Sequence, residues 1–269
     1  FGTHGGGLNK FNENSFENFA QNRGLKSPIV RSIAQDRDGD IWLAHNEGIT
    51  QMGKKINTHY NVKSGLSSSI VRCLTFDSKG GIWLGMNSTG ASYFDGEKFT
   101  HYNTESGLSS NMVLCIYEDK DSNVWFGTGN GGVTKFDGEN FYHILEEDGL
   151  GNNTIRSITE DYDGNLWIAT LGGGAVKYDD EGLTRYTTEE GVRSDFVASF
   201  LTMENEDIWL GTEGTGISIL SPNGDVSQIL KNSGLSNEII WSMVKDPNDN
   251  VWISTEKGLN MITFNDSAE

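Results

Sequence analysis

Six tryptophans at nearly constant spacing, glycines that keep the same step, and short period-two strands separated by Asp-Gly turns predict an all-β fold, a β-propeller of four-stranded blades. The tryptophans are Trp42, Trp83, Trp125, Trp167, Trp209 and Trp252, at spacings of 41, 42, 42, 42 and 43 residues. Gly24-Leu25, Gly65-Leu66, Gly107-Leu108, Gly149-Leu150, Gly191-Val192 and Gly234-Leu235 march ahead of them with the same step. A third ruler, Gly7, Gly48, Gly90, Gly132, Gly174, Gly216 and Gly258, adds a seventh copy. Each unit of about 42 residues is one blade, and residues 1–269 form a single propeller domain.

The elements of one unit follow from its alternation and its turns. In 107–149, Gly107-Leu108 ends a loop and Met112 to Glu118 reads as the inner strand. Asp119 to Asn123 is a turn, and Val124 to Thr128 the second strand. Gly132 to Phe136 is the third, Asp137-Gly138-Glu139 a tight turn, and Asn140 to Ile144 the fourth. Asp-Gly and Asn-Gly pairs accept the positive φ that such turns require. No segment reads as a helix. Residues 1–20 supply the second to fourth strands of one blade, and residues 235–269 the first three of another. Seven blade positions with incomplete ends are therefore expected; the alternative is six, with an N-terminal strand completing the last blade.

Composition bounds the function. Glycine is 34 of 269 residues and proline only 3, so the chain is rich in turns, while 7 Trp, 8 Tyr and 13 Phe supply a core. Twenty basic against 38 acidic residues give a net charge of −18, which disfavours nucleic acid and anionic membrane surfaces as partners. No apolar run reaches the roughly 18 to 20 residues of a membrane helix, and no signal segment opens the chain. Phe1 stands where a start methionine would, so a mature or excised piece is expected. Cys73 and Cys115 occupy the small slot of adjacent inner strands and read as buried small residues. The Asp-rich turns lack the spacing of a calcium-binding EF-hand loop; no metal and no cofactor is expected.

Each tryptophan is followed by Leu, Phe or Ile, never by Asp, and the period is shorter than the kelch repeat. The string Ile158-Thr159-Glu160-Asp161-Tyr162-Asp163-Gly164-Asn165-Leu166-Trp167-Ile168-Ala169-Thr170, with Gly173-Gly174 after it, resembles the two component regulator propeller repeat. That resemblance covers nearly the whole chain. It implies a module of the extracytoplasmic sensor half of a bacterial hybrid two-component system, periplasmic or extracellular, of a kind that senses glycan-derived oligosaccharides. Met203 to Asp207 departs from the Asp-x-x-Gly turn, and Ser254 stands where Gly or Ala is usual.

The candidate site follows from the propeller. Inner strands line a channel, and their starts share a face with the loops between second and third strands. Seven residues after each anchor glycine stand Arg31, Arg72, Leu114, Arg156, Ala198 and Trp241, each between an apolar and a small residue. Three arginines and a tryptophan in an acidic chain predict a mouth for an oligosaccharide, in the favoured case one carrying acidic groups, because Arg forks carboxylates and Trp offers a flat apolar face. The loops add His4, His45, Asn46, Asn87, Ser88, Asn130 and Glu213. His59, His101 and His143 recur on the outermost strand, where a solvated edge and no metal is expected.

Two other classes compete with the sensor. His4 or His45 beside the arginines would suit a polysaccharide lyase, although no nucleophile or zinc motif is present. A protein-binding scaffold is the third, and further domains of the same chain or a second copy are candidate partners. Expected function is ligand binding without turnover.

Overall fold

The computed structural model describes residues 1–12, 15–19, 25–53 and 56–264. The chain is an all-β propeller with two compact units, Phe1–His143 and Ile144–Glu269. The first unit opens with a two-stranded sheet of β1 (Leu8–Asn12) and β2 (Ser15–Phe19). Blade 1 follows as β3 (Val30–Gln35), β4 (Ile41–His45), β5 (Gly48–Met52) and β6 (Asn57–Tyr60). Blade 2 is β7 (Val71–Phe76), β8 (Ile82–Met86), β9 (Ala91–Phe94) and β10 (Phe99–Tyr102). Blade 3 is β11 (Val113–Glu118), β12 (Val124–Thr128), β13 (Val133–Phe136) and β14 (Phe141–Ile144).

The second unit holds blade 4, β15 (Ile155–Glu160), β16 (Leu166–Thr170), β17 (Ala175–Asp179) and β18 (Gly182–Tyr186). Blade 5 is β19 (Val197–Thr202), β20 (Ile208–Thr212), β21 (Ile217–Leu220) and β22 (Val226–Ile229). Blade 6 has three strands, β23 (Ile240–Lys245), β24 (Val251–Thr255) and β25 (Gly258–Ile262). Every sheet is antiparallel, in chain order.

Six blades, not seven, are thus present among the described residues, the alternative count. The seventh copy of the glycine ruler falls in the N-terminal hairpin. The segment around it bridges Gly2 to Leu8 and His4 to Ile29, and Asn9 N donates to Phe1 O at 2.8 Å while Gly5 N and Gly7 N donate to Pro28 O, but among the described residues it has no inner strand of its own. Gly24 and residues 265–269, which the repeat reading assigned to the first anchor and the last blade, lie outside the described residues.

The second strand of each of blades 2 to 5 is buried along its length. Within each unit the tryptophan of a second strand reaches the following blade. Trp42 packs with Leu74, Leu84 and Phe94, and Trp83 with Val113, Val124 and Phe126. Trp167 meets Phe200 and Leu210, and Trp209 meets Met243 and Ile253.

The same tryptophans are pinned at the polar end by the Asp turns. Trp42, Trp125, Trp167 and Trp252 each donate the indole N–H to the aspartate six residues earlier, at 2.8, 2.7, 2.9 and 2.9 Å. The other oxygen of each carboxylate accepts two backbone N–H groups of its turn, as Asp161 Oδ1 does from Asp163 and Asn165. The Asp-rich turns are therefore tied up in turn and tryptophan contacts.

Four single-turn 3₁₀ helices, Val62–Ser64, Glu146–Asp148, Thr188–Glu190 and Lys231–Ser233, precede the anchor glycines Gly65, Gly149, Gly191 and Gly234. Three residues are too short to leave a helical period in the sequence. The glycines end them in the left-handed region, with φ between 96° and 109°.

Candidate functional site

Each inner strand starts with the same irregularity. Pairing with the second strand slips by one residue between Val30 and Ser32, Val71 and Cys73, Val113 and Cys115, Ile155 and Ser157, Val197 and Ser199, and Ile240 and Ser242. The unpaired residue of each bulge is Arg31, Arg72, Leu114, Arg156, Ala198 or Trp241. All six variable positions are therefore bulge residues, released from the ladder's alternation and aimed by a local bend. The slip leaves a trace in burial. Val71 and Leu74, Ile155 and Ile158, and Ile240 and Met243 are buried at a spacing of three where an even strand would give two.

In the first unit, neighbouring loops hold the two arginines by the same contact. Arg31 Nε donates to Asn46 Oδ1 at 2.9 Å, and Arg72 Nε to Asn87 Oδ1 at 2.7 Å. Asn46 sits in the β4–β5 turn and Asn87, next to Ser88, in the β8–β9 loop. A bond at Nε fixes the guanidinium plane. Asn130, in the β12–β13 loop, accepts from Ser110 Oγ at 2.7 Å. It has Leu114, not an arginine, on its blade's bulge. Met112, two residues before that bulge, is exposed, and Gly129 gives it room: a Cβ there would meet its sulfur.

In the second unit, Arg156 Nη2 donates to Glu213 Oε1 at 2.7 Å, joining blade 4 to the β20–β21 loop of blade 5. Both side chains keep about a quarter to a third of their surface, 30% and 26%. Trp241 is exposed at 47% and Phe196, two residues before the blade 5 bulge, at 49%. Phe196 O accepts the Glu213 N–H at 3.0 Å, so the aromatic residue and the acid of the pair share one backbone link. This unit thus offers a charged pair and two apolar rings.

Histidines divide by depth. His45 is fully buried, so it presents no surface to a ligand; the expectation that placed it in the mouth is corrected. The reason is the short β4–β5 turn, which tucks the ring under Thr50 and against His59. Burial first, then the charge of His59, push His45 down to about 4. His4 is exposed and bridges to Ile29. On the outer strands His101 and His143 are exposed and His59 half-buried, bonding to Ser92 Oγ, Gly107 O and Thr50 Oγ1 at 2.8, 2.9 and 3.2 Å.

Burial pushes the Cys73 thiol up to about 12, so it stays protonated, as a small packing residue would. No group of three or more His, Cys, Asp or Glu among the described residues could hold a metal ion. No helix among them is long and apolar enough to cross a membrane.

Met112 and Phe196 escaped the sequence reading because each precedes an apolar strand and reads as core. The signal that could have exposed them is the i, i+3 apolar spacing, which marks the bulge and hence the turn of the chain before it. Taken by itself, the first unit offers guanidinium and amide groups for carboxylates and hydroxyls, and the second offers a guanidinium–carboxylate pair and aromatic faces for the C–H surface of a sugar.

Five segments, 24–47, 65–88, 107–130, 149–172 and 234–257, match the two component regulator propeller family. No curated protein matches. Among solved structures, the extracellular domain assigned to the hybrid two component system BT3049 from B. thetaiotaomicron is 22% identical, with a TM-score of 0.65 over 92% of this chain and 41% of that one. The corresponding domain of BT4673 from the same organism is 20% identical, with a TM-score of 0.63 over 88% and 42%. A virginiamycin B lyase from Staphylococcus aureus is 14% identical, with a TM-score of 0.69 over 88% and 85%. At these identities the likeness is one of fold. The chain spans about two fifths of the length of the two extracellular domains.

Proposed function

Because the chain is a β-propeller of the two component regulator propeller repeat family, we propose that it is the ligand-sensing module of a bacterial signal-transduction protein. In this reading it works outside the cytoplasm, as do the extracellular domains it is similar to, and further domains of the same protein or a second copy carry the signal. Its ligand is a glycan-derived oligosaccharide, with acidic groups in the favoured case, bound without turnover.

One observation carries the reading: the bulge that opens every inner strand hands its unpaired position to Arg31, Arg72, Arg156 or Trp241 in four blades of six. Core packing does not require arginine there, since Ala198 and Leu114 fill the same place. The amide of Asn87 beside Arg72 and the carboxylate of Glu213 beside Arg156 supply hydroxyl partners, with the amide of Asn130 on the blade of Leu114.

The fold likeness to lyases keeps a second reading in play, that of a carbohydrate-active enzyme. Against it, both ring nitrogens of His45 are already engaged, Nε2 with Thr50 and Nδ1 with the Glu47 N–H, so this histidine is not poised as a general base. Titrating the protein with a panel of neutral and uronate oligosaccharides, while following products by mass spectrometry, separates the readings. Saturable heat with no new product supports the sensor. Chain cleavage supports the lyase. A lack of saturation with every member of the panel would overturn both and favour a protein-binding scaffold.

A further inference from the structure

At the end of its second strand blade 1 carries a titratable side chain, where the other blades carry a threonine or a methionine. In blades 3 to 6 the second strand ends in Thr128, Thr170, Thr212 or Thr255. Each threonine Oγ1 accepts a backbone N–H of the following turn, from Gly131, Gly173, Thr215 and Lys257. Each also donates to the carbonyl of the ruler glycine that opens the next strand. Blade 2 has Met86 at this place. Blade 1 has His45, and the Glu47 N–H donates to its Nδ1 at 3.1 Å.

That bond fixes the rest of a chain of protons. Nδ1 accepts, so the ring proton sits on Nε2 and is donated to Thr50 Oγ1 at 2.9 Å. The Thr50 hydroxyl then donates to His59 Nδ1 at 3.2 Å. The two imidazoles stack with centroids 5.4 Å apart and planes 9° from parallel. Around the pair, Lys26 ahead of β3 and Glu47 in the turn act on His59 in opposite senses, and Arg31 on β3 is joined to the turn through Asn46. The one site left on His45 for a second proton is Nδ1. A proton there turns the acceptor of the Glu47 N–H into a donor, and two N–H groups then face each other.

We propose that protonation of the stacked His45–His59 pair opens the 45–48 turn and releases Arg31 from Asn46, making the ligand face of blade 1 responsive to acidity. As regulation of that face the proposal rests on the function proposed above. The coupling itself exists with no ligand and is measured without one, so the two fail separately.

The experiment is nitrogen-15 NMR of the full 269-residue chain from neutral pH to about pH 3, following the Glu47 amide, the His45 ring and the Arg31 Nε–H. The three signals are expected to move with one midpoint below the ordinary histidine value. In His45→Thr, which restores the staple of the other blades, the movement of Arg31 is lost. The Arg72 Nε–H, held by Asn87, stays flat in both proteins. If the variant does not fold, the shared midpoint in the unaltered protein decides. An Arg31 signal that stays still while the His45 ring titrates would overturn the proposal, as would one that moves equally in His45→Thr. Global unfolding before Arg31 responds would also overturn it.

Discussion

The carboxylate of Asp161 closes its own turn with one oxygen and takes the indole N–H of Trp167 with the other. Desolvation raises its pKa, but the bonds from Asn165 and Trp167 outweigh that and hold it below the usual carboxylate range. Asp161→Ala is expected to cost about 1.5–3 kcal/mol in urea unfolding, the scale of hydrogen bonds to a charged group, with Asp161→Asn recovering part of it. A loss indistinguishable from zero would contradict the clamp. This contact was legible, since Asp36, Asp77, Asp119, Asp161 and Asp246 all stand six residues before a tryptophan. What the spacing did not show is who answers the exception. In blade 2, Asp77 Oδ2 accepts the Tyr93 hydroxyl at 2.8 Å, and Gly81 makes room for that ring.

His45 carries a prediction of opposite sign with respect to pH from that of a paired histidine. Burial depresses its folded-state value to about 4, against 6.5 for the free group. Between those values the unfolded chain binds the proton and the folded chain does not. Stability therefore declines as pH falls through that window, by on the order of 3 kcal/mol, and levels off below it. Urea titrations at successive pH values, compared between the protein and His45→Thr, check this; equal pH slopes in both would contradict it. The burial of His45 could not be read from the sequence, because only the length of the turn distinguishes a histidine tucked under its strand from one standing in a loop.

At the scale of elements, the ruler glycines are set by backbone geometry. Gly90 has φ 85° and lies so close to the Tyr102 carbonyl oxygen that a Cβ would collide with it. Gly80 has φ 90° and open space around it. Gly80→Ala is expected to cost about 1–2 kcal/mol from conformation alone, and Gly90→Ala more, with thermal unfolding as the measurement. Equal losses would show that the contact between β9 and the end of β10 is looser than described. Strand order and the turns of blade 3 were readable from alternation, to within a residue at Val113, Val133 and Phe141. The bulges were not, because period-two reasoning assigns Arg31 simply to the face opposite Val30 and Ser32. Their trace was nonetheless in the apolar i, i+3 pairs such as Val71 and Leu74.

For the molecule as a whole, counting glycines overcounted blades. Gly7 has the same left-handed φ as its counterparts, 76°, but a blade also needs an inner strand, and the hairpin β1–β2 has none. A repeat marker shows that the local turn recurs, whereas a blade is built outward from an inner strand. Composition spoke to partners only by exclusion, and the site was legible as six positions without their presentation. In the function proposed above, the bulge residues bind a saccharide. Its most direct test takes an oligosaccharide identified by the calorimetric panel and measures its affinity for Arg31→Ala, Arg72→Ala, Arg156→Ala and Trp241→Ala, each with its unfolding temperature. About ten- to a hundred-fold weaker binding is expected for each arginine variant, the equivalent of about 1.5–3 kcal/mol, with melting unchanged. Affinity indifferent to all four changes, or losses that track a fall in melting temperature, would contradict it.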